Sequence, residues 1–261
     1  MSESTTSRRT HITVPLAYTL LAGLWTVLLV MVSVGWIVHR SARSNRARSV
    51  AIVQSYHGNL GFFGLPIVAA TFGDVTTAKA SIILGMGALT QIPLTILILV
   101  TLNDRDASIV DELAEFVRNP VIISLVAGLS VSLLGVSVPG AATAGLGVLS
   151  QFALPIALLC VGGALSFDTG DVDLSTVGSV VALKVFLMPA IALVVFSTLA
   201  SSPSTVNAGV VMLAMPTAVS TYVYATEYGG DEQLASIDVF ATTIVSLGTV
   251  FVLLGFVIGP G

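Results

Sequence analysis

Residues Gln54–Val68 read QSYHGNLGFFGLPIV and lie within a long apolar segment of the chain. The middle of this stretch holds three glycines, an asparagine and a proline, which together disfavour a continuous helix. Inside a membrane, backbone that lacks helical hydrogen bonds is tolerated only where it is buried in protein or lines a wet cavity. We therefore expect a broken membrane helix here, with a binding site at the interruption.

A second interruption lies far along the chain at Leu213–Ser220, which reads LAMPTAVS. A proline and two hydroxyl residues again fall inside an apolar segment. Paired interruptions in corresponding parts of two halves are the best sequence indication of the substrate site of a secondary transporter.

The composition places the chain in a membrane. Of its 261 residues 55% are hydrophobic and only 9% are charged, and the mean hydropathy is +0.99. A soluble domain carries about 25% charged residues, so we predict an all-α polytopic membrane protein. The net charge is −4 and the only basic cluster is short, so no nucleic-acid partner is expected. The single cysteine, Cys160, excludes an intrachain disulfide and a cysteine-based metal site.

The apolar segments predict about eight spans, two of them broken. Four arginines lie within residues 40–48, and the positive-inside rule places this connection in the cytoplasm. Alternation then puts residues 102–118, 166–174 and 227–233 on the same side and both termini outside. The predicted spans are 14–38, 49–72 (broken), 76–101, 119–137, 142–165, 175–199, 205–226 (broken) and 234–258.

A weak internal sequence similarity indicates an inverted repeat. Leu65-Pro66 is followed by Gly73-Asp74, and Met215-Pro216 is followed by Gly229-Gly230-Asp231. The two spans that contain these similar patterns are predicted to enter the membrane from opposite sides. We therefore expect one membrane domain, 1–261, made of a partial first repeat (1–101), an amphipathic cytoplasmic linker (102–118) and a second repeat (119–261).

Two motifs resemble the signatures of the auxin efflux carrier family. Gly58–Pro66 with Phe72-Gly73 is similar to the first signature, and Met215–Ala218 with Glu227–Asp231 resembles the second. Smaller matches that also fit are Asn119-Pro120, Leu154–Leu158 and Gly162-Gly163.

The resemblance implies ten helices in two inverted repeats of five, with the fourth and ninth helices broken and crossing at their prolines. It implies a plasma-membrane efflux carrier for small organic anions, such as auxin in plants and dicarboxylates in prokaryotes, and it allows a homodimer in the bilayer. In the family, a transport unit of the third to fifth and eighth to tenth helices moves against a scaffold. The first span of this sequence matches the family's third, so two scaffold helices are expected to be missing. Either the start codon is set too late, or the protein is a truncated member that does not transport.

The predicted site is built around the two interruptions. The N-terminal ends of half-helices carry partial positive charge and hold a carboxylate without a buried arginine, and no arginine lies in a predicted span. Pro66 and Pro216 are expected to start the second half-helices, because the missing N–H of proline costs nothing in a first turn. The predicted substrate-binding residues are Asn59, Gly61, Pro66, Gln91, Gln151, Pro216, Thr217, Ser220 and Tyr222. For Gln91 and Gln151 the alternative is a hydrogen bond that only holds helices together.

Ionisable residues within spans are functional candidates. Lys184 and Asp238 are placed to pair, although a lysine near a helix end can instead reach the membrane surface. His57 either couples proton movement to transport or packs in the core. Coupling to a proton or sodium gradient therefore stays open, and no cofactor or metal is expected. Lys79 is predicted at the membrane interface, and helix capping is predicted for the acidic residues Asp168, Asp171 and Asp173.

Other functional classes fit less well. A channel needs a continuous polar path through several spans, and too few polar residues are present. An intramembrane aspartyl protease needs a Gly-x-Gly-Asp motif near the bilayer centre, whereas Gly229-Gly230-Asp231 lacks this spacing and lies at a membrane edge. We therefore expect no enzymatic activity.

Overall fold

The structure is a computed structural model that describes residues 14–103, 118–164 except 119, 135 and 137, 173–200 and 202–258. In these ranges every regular element is a helix, as predicted, and the only strand-like feature is one isolated β-bridge. The helices are α1 Val14–Val38, α2 Asn45–Tyr56, α3 Leu65–Thr71, α4 Asp74–Leu102, α5 Pro120–Leu133, α6 Gly140–Ala164, α7 Leu174–Leu199, α8 Pro203–Leu213, α9 Ser220–Glu227 and α10 Glu232–Ile258. A π-helical turn, Leu60–Gly64, directly precedes α3, and a second π segment, Ala182–Leu187, lies within α7.

Four helices in the described ranges, α1, α4, α7 and α10, are long and apolar enough to cross a membrane. Each has at least 25 residues, or about 37 Å at 1.5 Å per residue, against a hydrocarbon core of about 30 Å. Their bounds lie within two residues of the predicted spans. Large apolar side chains such as Phe251 and Phe256 project from α10 without protein contact over most of their surface, as expected for a face that meets lipid.

The other two predicted spans of the packed bundle are interrupted, as the sequence predicts. The first runs as α2, an extended piece, the π turn and α3, and the second as α8, an extended piece and α9. α5 falls within the predicted span 119–137, and α6 overlaps the predicted span 142–165 but begins two residues earlier. The total of about eight spans and the inverted repeat stay predictions, and residues 104–117 of the predicted linker lie outside the described residues.

The broken helices occupy the centre of the bundle. Ala47, Ser49 and every residue from Val50 to Tyr56 of α2 are buried, although α2 is much less hydrophobic than the long helices. α2 packs against α1, α4, α7 and α10, while α8 packs against α4 and α7. The polar side chains of α2 therefore face protein and not lipid, so the long helices enclose the two interruptions.

Loops that the charge pattern assigns to the cytoplasm meet at one end of the bundle. Arg43 forms a salt bridge of 3.3 Å with Asp231, and Arg46 donates to the carbonyl oxygens of Gly229 (2.8 Å) and Gly230 (3.0 Å). Asn103, at the end of α4, donates to the carbonyl of Tyr228 at 2.9 Å. The connection after α1, the end of α4 and the loop before α10 therefore lie on the same side, as predicted.

Two further predictions concern residues near helix starts. Asp173 caps α7, accepting hydrogen bonds from the Ser175 N–H (3.0 Å) and from the Ser175 and Thr176 hydroxyls, as predicted. These bonds favour the ionised carboxylate and hold the pKa of Asp173 below its ordinary value. Lys79 lies in the second turn of α4 and is buried, and its ammonium donates to the hydroxyls of Ser202, Ser204 and Thr205 at 2.7–3.1 Å. Asp168 and Asp171 lie outside the described residues.

Close packing around Phe196 gives a test of the fold. The ring of Phe196 on α7 fills a space that Gly23 of α1 and Gly209 of α8 leave open. A Cβ added to Gly209 would lie 2.5 Å from three ring atoms. We expect Gly209→Ala to lower the free energy of unfolding by about 1–3 kcal/mol, measured by thermal unfolding in detergent, because the ring must shift. Gly178→Ala is the matched control, since its Cβ would meet nothing within 4 Å. Equal stability of the two variants would contradict this packing.

Candidate functional site

The two interruptions meet in a short antiparallel pairing of extended backbone. Gly58 and Thr217 form the bridge, the Asn59 N–H donates to the Pro216 carbonyl at 2.8 Å, and the Ala218 N–H donates to the His57 carbonyl at 3.0 Å. Each extended piece thus supplies hydrogen-bond partners for backbone groups of the other piece that have no partner within a helix. We call this pairing, His57–Asn59 with Pro216–Ala218, the crossing.

Side chains hold the crossing to the surrounding helices. The Asn59 carboxamide oxygen accepts from the Phe62 N–H at 3.1 Å and so caps the π turn. The Thr217 hydroxyl donates to the Gln54 carbonyl at 2.8 Å. The Gly58 N–H donates to the side-chain oxygen of Gln91 on α4 at 2.8 Å. Three backbone groups that the helices do not satisfy are therefore satisfied by specific polar side chains.

The two prolines act differently from one another. Pro66 lies in the first turn of α3, but the continuous helical segment already begins at Leu60, so the prediction that Pro66 starts the second half-helix is wrong. The prediction that Pro216 starts the second half-helix is wrong, because α9 begins only at Ser220. Pro216 lies in the extended piece, where its carbonyl accepts from Asn59 and its ring, which also keeps Met215 out of the helical region, ends α8.

A cavity of about 310 Å³ opens beside the crossing. Most of its wall is apolar, with polar side chains from His57, Asn59, Gln91 and Ser220. Convergence of a few polar groups in a mostly apolar pocket is typical of small-molecule sites. The lining residues are His57–Phe62, Leu84, Gly87, Ala88, Gln91, Ile92 and Ala218–Ser220.

The structure brings together only part of the predicted site. Four of the predicted residues line the cavity: Asn59, Gly61, Gln91 and Ser220. Thr217 is fully buried behind them at the crossing, and neither proline is in the wall. Tyr222 is half-buried on α9 outside the wall, and Gln151 is exposed on α6.

Gln91 has an unused hydrogen-bond donor. Its side-chain oxygen is engaged by Gly58, but its amide nitrogen is buried and has no partner among the described residues. Gly87 lies one turn earlier on α4, where a Cβ would come within 2.4 Å of Leu60 and 3.3 Å of the Gln91 amide nitrogen. Gly87 was not predicted as a site residue, and its position four residues before a glutamine on the same helix face was the available signal.

Two ionisable side chains lie against the crossing. His57 lines the cavity, and its Nδ1 is 2.8 Å from the Thr95 hydroxyl. Lys184, in the π segment of α7, lies on the other side of Gly58, where an added Cβ would be 3.0 Å from its Nζ. The Lys184 amine donates to the Leu213 carbonyl at 3.4 Å and contacts the Met188 sulfur at 2.9 Å.

The predicted pairing of Lys184 with Asp238 is wrong. Neither oxygen of the Asp238 carboxyl has a partner among the described residues, because the carbonyl at the end of α8 and the Met188 sulfur take up the lysine. The alternative that Lys184 reaches the membrane surface is also wrong, since its side chain is fully buried.

The Thr217 hydroxyl should be required for a stable crossing. We expect Thr217→Val, which keeps the shape of the side chain, to lower the free energy of unfolding by about 1–3 kcal/mol because the buried Gln54 carbonyl loses its donor. Thermal unfolding in detergent measures the change, and Thr217→Ser should restore most of it. Thr226→Val is a control on the same broken segment, because that hydroxyl is exposed. No difference between Thr217→Val and Thr226→Val would refute this assignment.

Long apolar helices that enclose two crossing interruptions beside a cavity define a class of membrane transporter. A family model described as "Membrane transport protein" matches residues 3–254. The chain therefore belongs to this family of transporters, the auxin efflux carrier family that its two motifs resemble.

The chain is also similar to a curated protein described as "Putative malonate transporter" from Rhizobium meliloti (strain 1021). The two are 24% identical over 199 residues, which cover 74% of this chain and 62% of the length of that relative.

Proposed function

We propose that the protein is a secondary transporter that carries small organic anions across the plasma membrane, with dicarboxylates such as malonate as the substrate class. The observation that carries this proposal is the buried amide nitrogen of Gln91 in the cavity wall, which has no partner in the part of the chain that the structure describes. A buried donor without a partner is costly, and an acceptor oxygen of a bound carboxylate would satisfy it. The printed description of the relative supports malonate as the first ligand to test.

The electrostatics of the cavity favour an anion without a cationic side chain in its wall. The starts of the helical segment Leu60–Thr71 and of α9 both contribute residues to the wall. Each helix start carries about half a positive charge and exposes N–H groups, which suit a carboxylate. Behind Gly58, the amine of Lys184 adds positive charge whenever it is protonated. The apolar remainder of the wall fits a short hydrocarbon backbone between two carboxylates.

The packing supports a moving unit around the site. α1, α4, α7, α10 and both broken helices pack against one another and enclose the crossing. These are the elements that the family resemblance assigns to the transport unit. We infer that they belong to two inverted repeats and that the unit carries the cavity from one side of the bilayer to the other, with the crossing kept intact.

Binding should depend on the donor of Gln91. We expect Gln91→Leu to weaken malonate binding to the purified protein by about 10- to 150-fold, the value of a hydrogen bond to a charged group. Isothermal titration in detergent measures the affinity, and thermal unfolding shows that the variant is folded. Gln151→Leu is the comparison, because Gln151 is exposed on α6 and is not part of the cavity wall, so the same change there should leave the affinity unchanged. Equal weakening in both variants, or none in either, would argue against this site.

Flux should depend on the interruption at Pro216. We expect Pro216→Leu to abolish malonate flux into proteoliposomes while membrane insertion persists, because leucine supplies an N–H and favours extension of α8 through the crossing. Pro203→Leu is the matched control, since Pro203 starts α8 and has no role in the crossing. Wild-type flux in Pro216→Leu would contradict the mechanism.

A further inference from the structure

Asp238 is a buried acidic side chain in the second turn of α10 that has no partner among the described residues. It lies on α10 with no exposed surface, and both of its carboxyl oxygens are buried without a hydrogen bond from any described residue. An ionised carboxylate in such a place is expensive, and intramembrane carboxyls of this kind mark ion or proton pathways. The proposed binding of substrate does not use it.

A second unsatisfied acceptor belongs to the same region. The side-chain nitrogen of Gln54 donates to the Ala235 carbonyl on α10 and to the Thr221 hydroxyl, each at 3.0 Å. The Gln54 side-chain oxygen is buried and has no partner among the described residues. Ala235 and Asp238 are three residues apart and share one face of α10. The side-chain oxygens of Gln54 on α2 and of Asp238 on α10 therefore both lack a donor among the described residues.

The same face of α10 is bonded to the second strand of the crossing and to the end of the helix that leads into the first strand. Gln54, on α2 and three residues before His57, makes the bond to that helix end. Thr242, one turn after Asp238, accepts from the Thr217 N–H of the second strand at 3.3 Å and donates to the Asp238 backbone carbonyl at 2.7 Å. A change of charge at Asp238 therefore acts one helical turn from the residue that holds the second strand of the crossing, and Ala218 of that strand borders the cavity.

The charged groups around Asp238 do not neutralise it by an ion pair. Lys184 bonds to the Leu213 carbonyl and Met188, and His57 bonds to Thr95. Asp231, at the start of α10, is paired with Arg43. On α2, Arg46 bonds to the carbonyls of the loop before α10, Arg48 lies over the Trp36 ring and Tyr56 shares a hydrogen bond with Thr95. α8 carries no titratable residue, and the titratable groups on the neighbouring α9 are Tyr222, Tyr224 and Glu227.

We propose that Asp238 is the proton-binding carboxyl that couples a proton to the anion, an inference that rests on the proposed transport function. When protonated, the carboxyl is neutral and gains one O–H donor for an acceptor such as the Gln54 side-chain oxygen. A metal ion would need several oxygen ligands, and the described residues hold no group of three acidic, histidine or cysteine side chains.

The coupling follows from charge. An ionised Asp238 repels an anion at the crossing, whereas the neutral acid does not. By linkage, proton binding then strengthens anion binding and anion binding strengthens proton binding to the same extent. The proton and the anion therefore cross the membrane together.

The first experiment compares the malonate affinity of the protein at about pH 6 and at about pH 8, because linkage predicts a difference between them. We expect the affinity of the wild type to fall about 5- to 150-fold more than that of Asp238→Asn as the pH rises. The asparagine variant mimics the neutral acid and should keep the low-pH affinity throughout. Titration of malonate itself is common to both proteins and cancels in the comparison. Asp238→Glu should retain the pH dependence, and His57→Gln should not remove it.

A second measurement does not depend on the substrate. Infrared spectra of the wild type at neutral pH should show the carbonyl band of a protonated carboxylic acid, and Asp238→Asn should lack this band. If the wild type binds no malonate at any pH, the proposed substrate class fails and the infrared band alone decides on Asp238. Wild-type pH dependence in Asp238→Asn, absence of the band, or a sodium requirement that disappears in Asp238→Asn would each overturn the proton site.

Discussion

The structure depends on one constraint, which is that two pieces of extended backbone lie deep in an apolar bundle and need hydrogen-bond partners. They find them in each other, through the bonds from Asn59 to Pro216 and from Ala218 to His57. Elsewhere in a membrane such unpaired groups would be prohibitively costly. The pairing therefore fixes where both broken helices cross, and the cavity lies beside it because the helices that start and end there cannot fill the space.

Side-chain amides and hydroxyls provide the second layer of support. Gln54 reaches from α2 to α10, Gln91 reaches from α4 to Gly58, and Thr217 returns a bond to α2. These bonds join helices from both halves of the chain to the same short pairing. Among the described residues, the side-chain nitrogen of Gln91 and the side-chain oxygen of Gln54 have no hydrogen-bond partner. Gln91 borders the cavity, whereas Gln54 on α2 contacts the face of α10 that carries Asp238. One unpartnered group therefore belongs to the site proposed for the anion and the other to the site proposed for the proton.

The charged side chains likewise fall into separate places in the bundle. Arg43, before α2, and Arg46, in its first turn, bond to the loop before α10, and Arg48 stacks on Trp36. Near the crossing, Lys184 and Asp238 are both buried but do not pair. An ion pair would neutralise both groups permanently, whereas two separate groups can each respond to a ligand or a proton. This separation fits a transporter, because a transporter must bind and release its ligands in every transport cycle.

The sequence by itself determined the features that depend on local chemistry. Glycine and proline within apolar segments predicted both interruptions, the lengths of the apolar runs predicted α1, α4, α7 and α10, and Asp173 was recognised as a helix cap. Only the tertiary structure decided which polar residues meet. Gln91 and Gln151 look alike in sequence, yet one borders the cavity and the other is exposed, because the helix face that meets the crossing is set by packing between distant segments. The position of Pro216 in an extended strand, and the separation of Lys184 from Asp238, likewise follow from partners far away in the chain that no local pattern specifies.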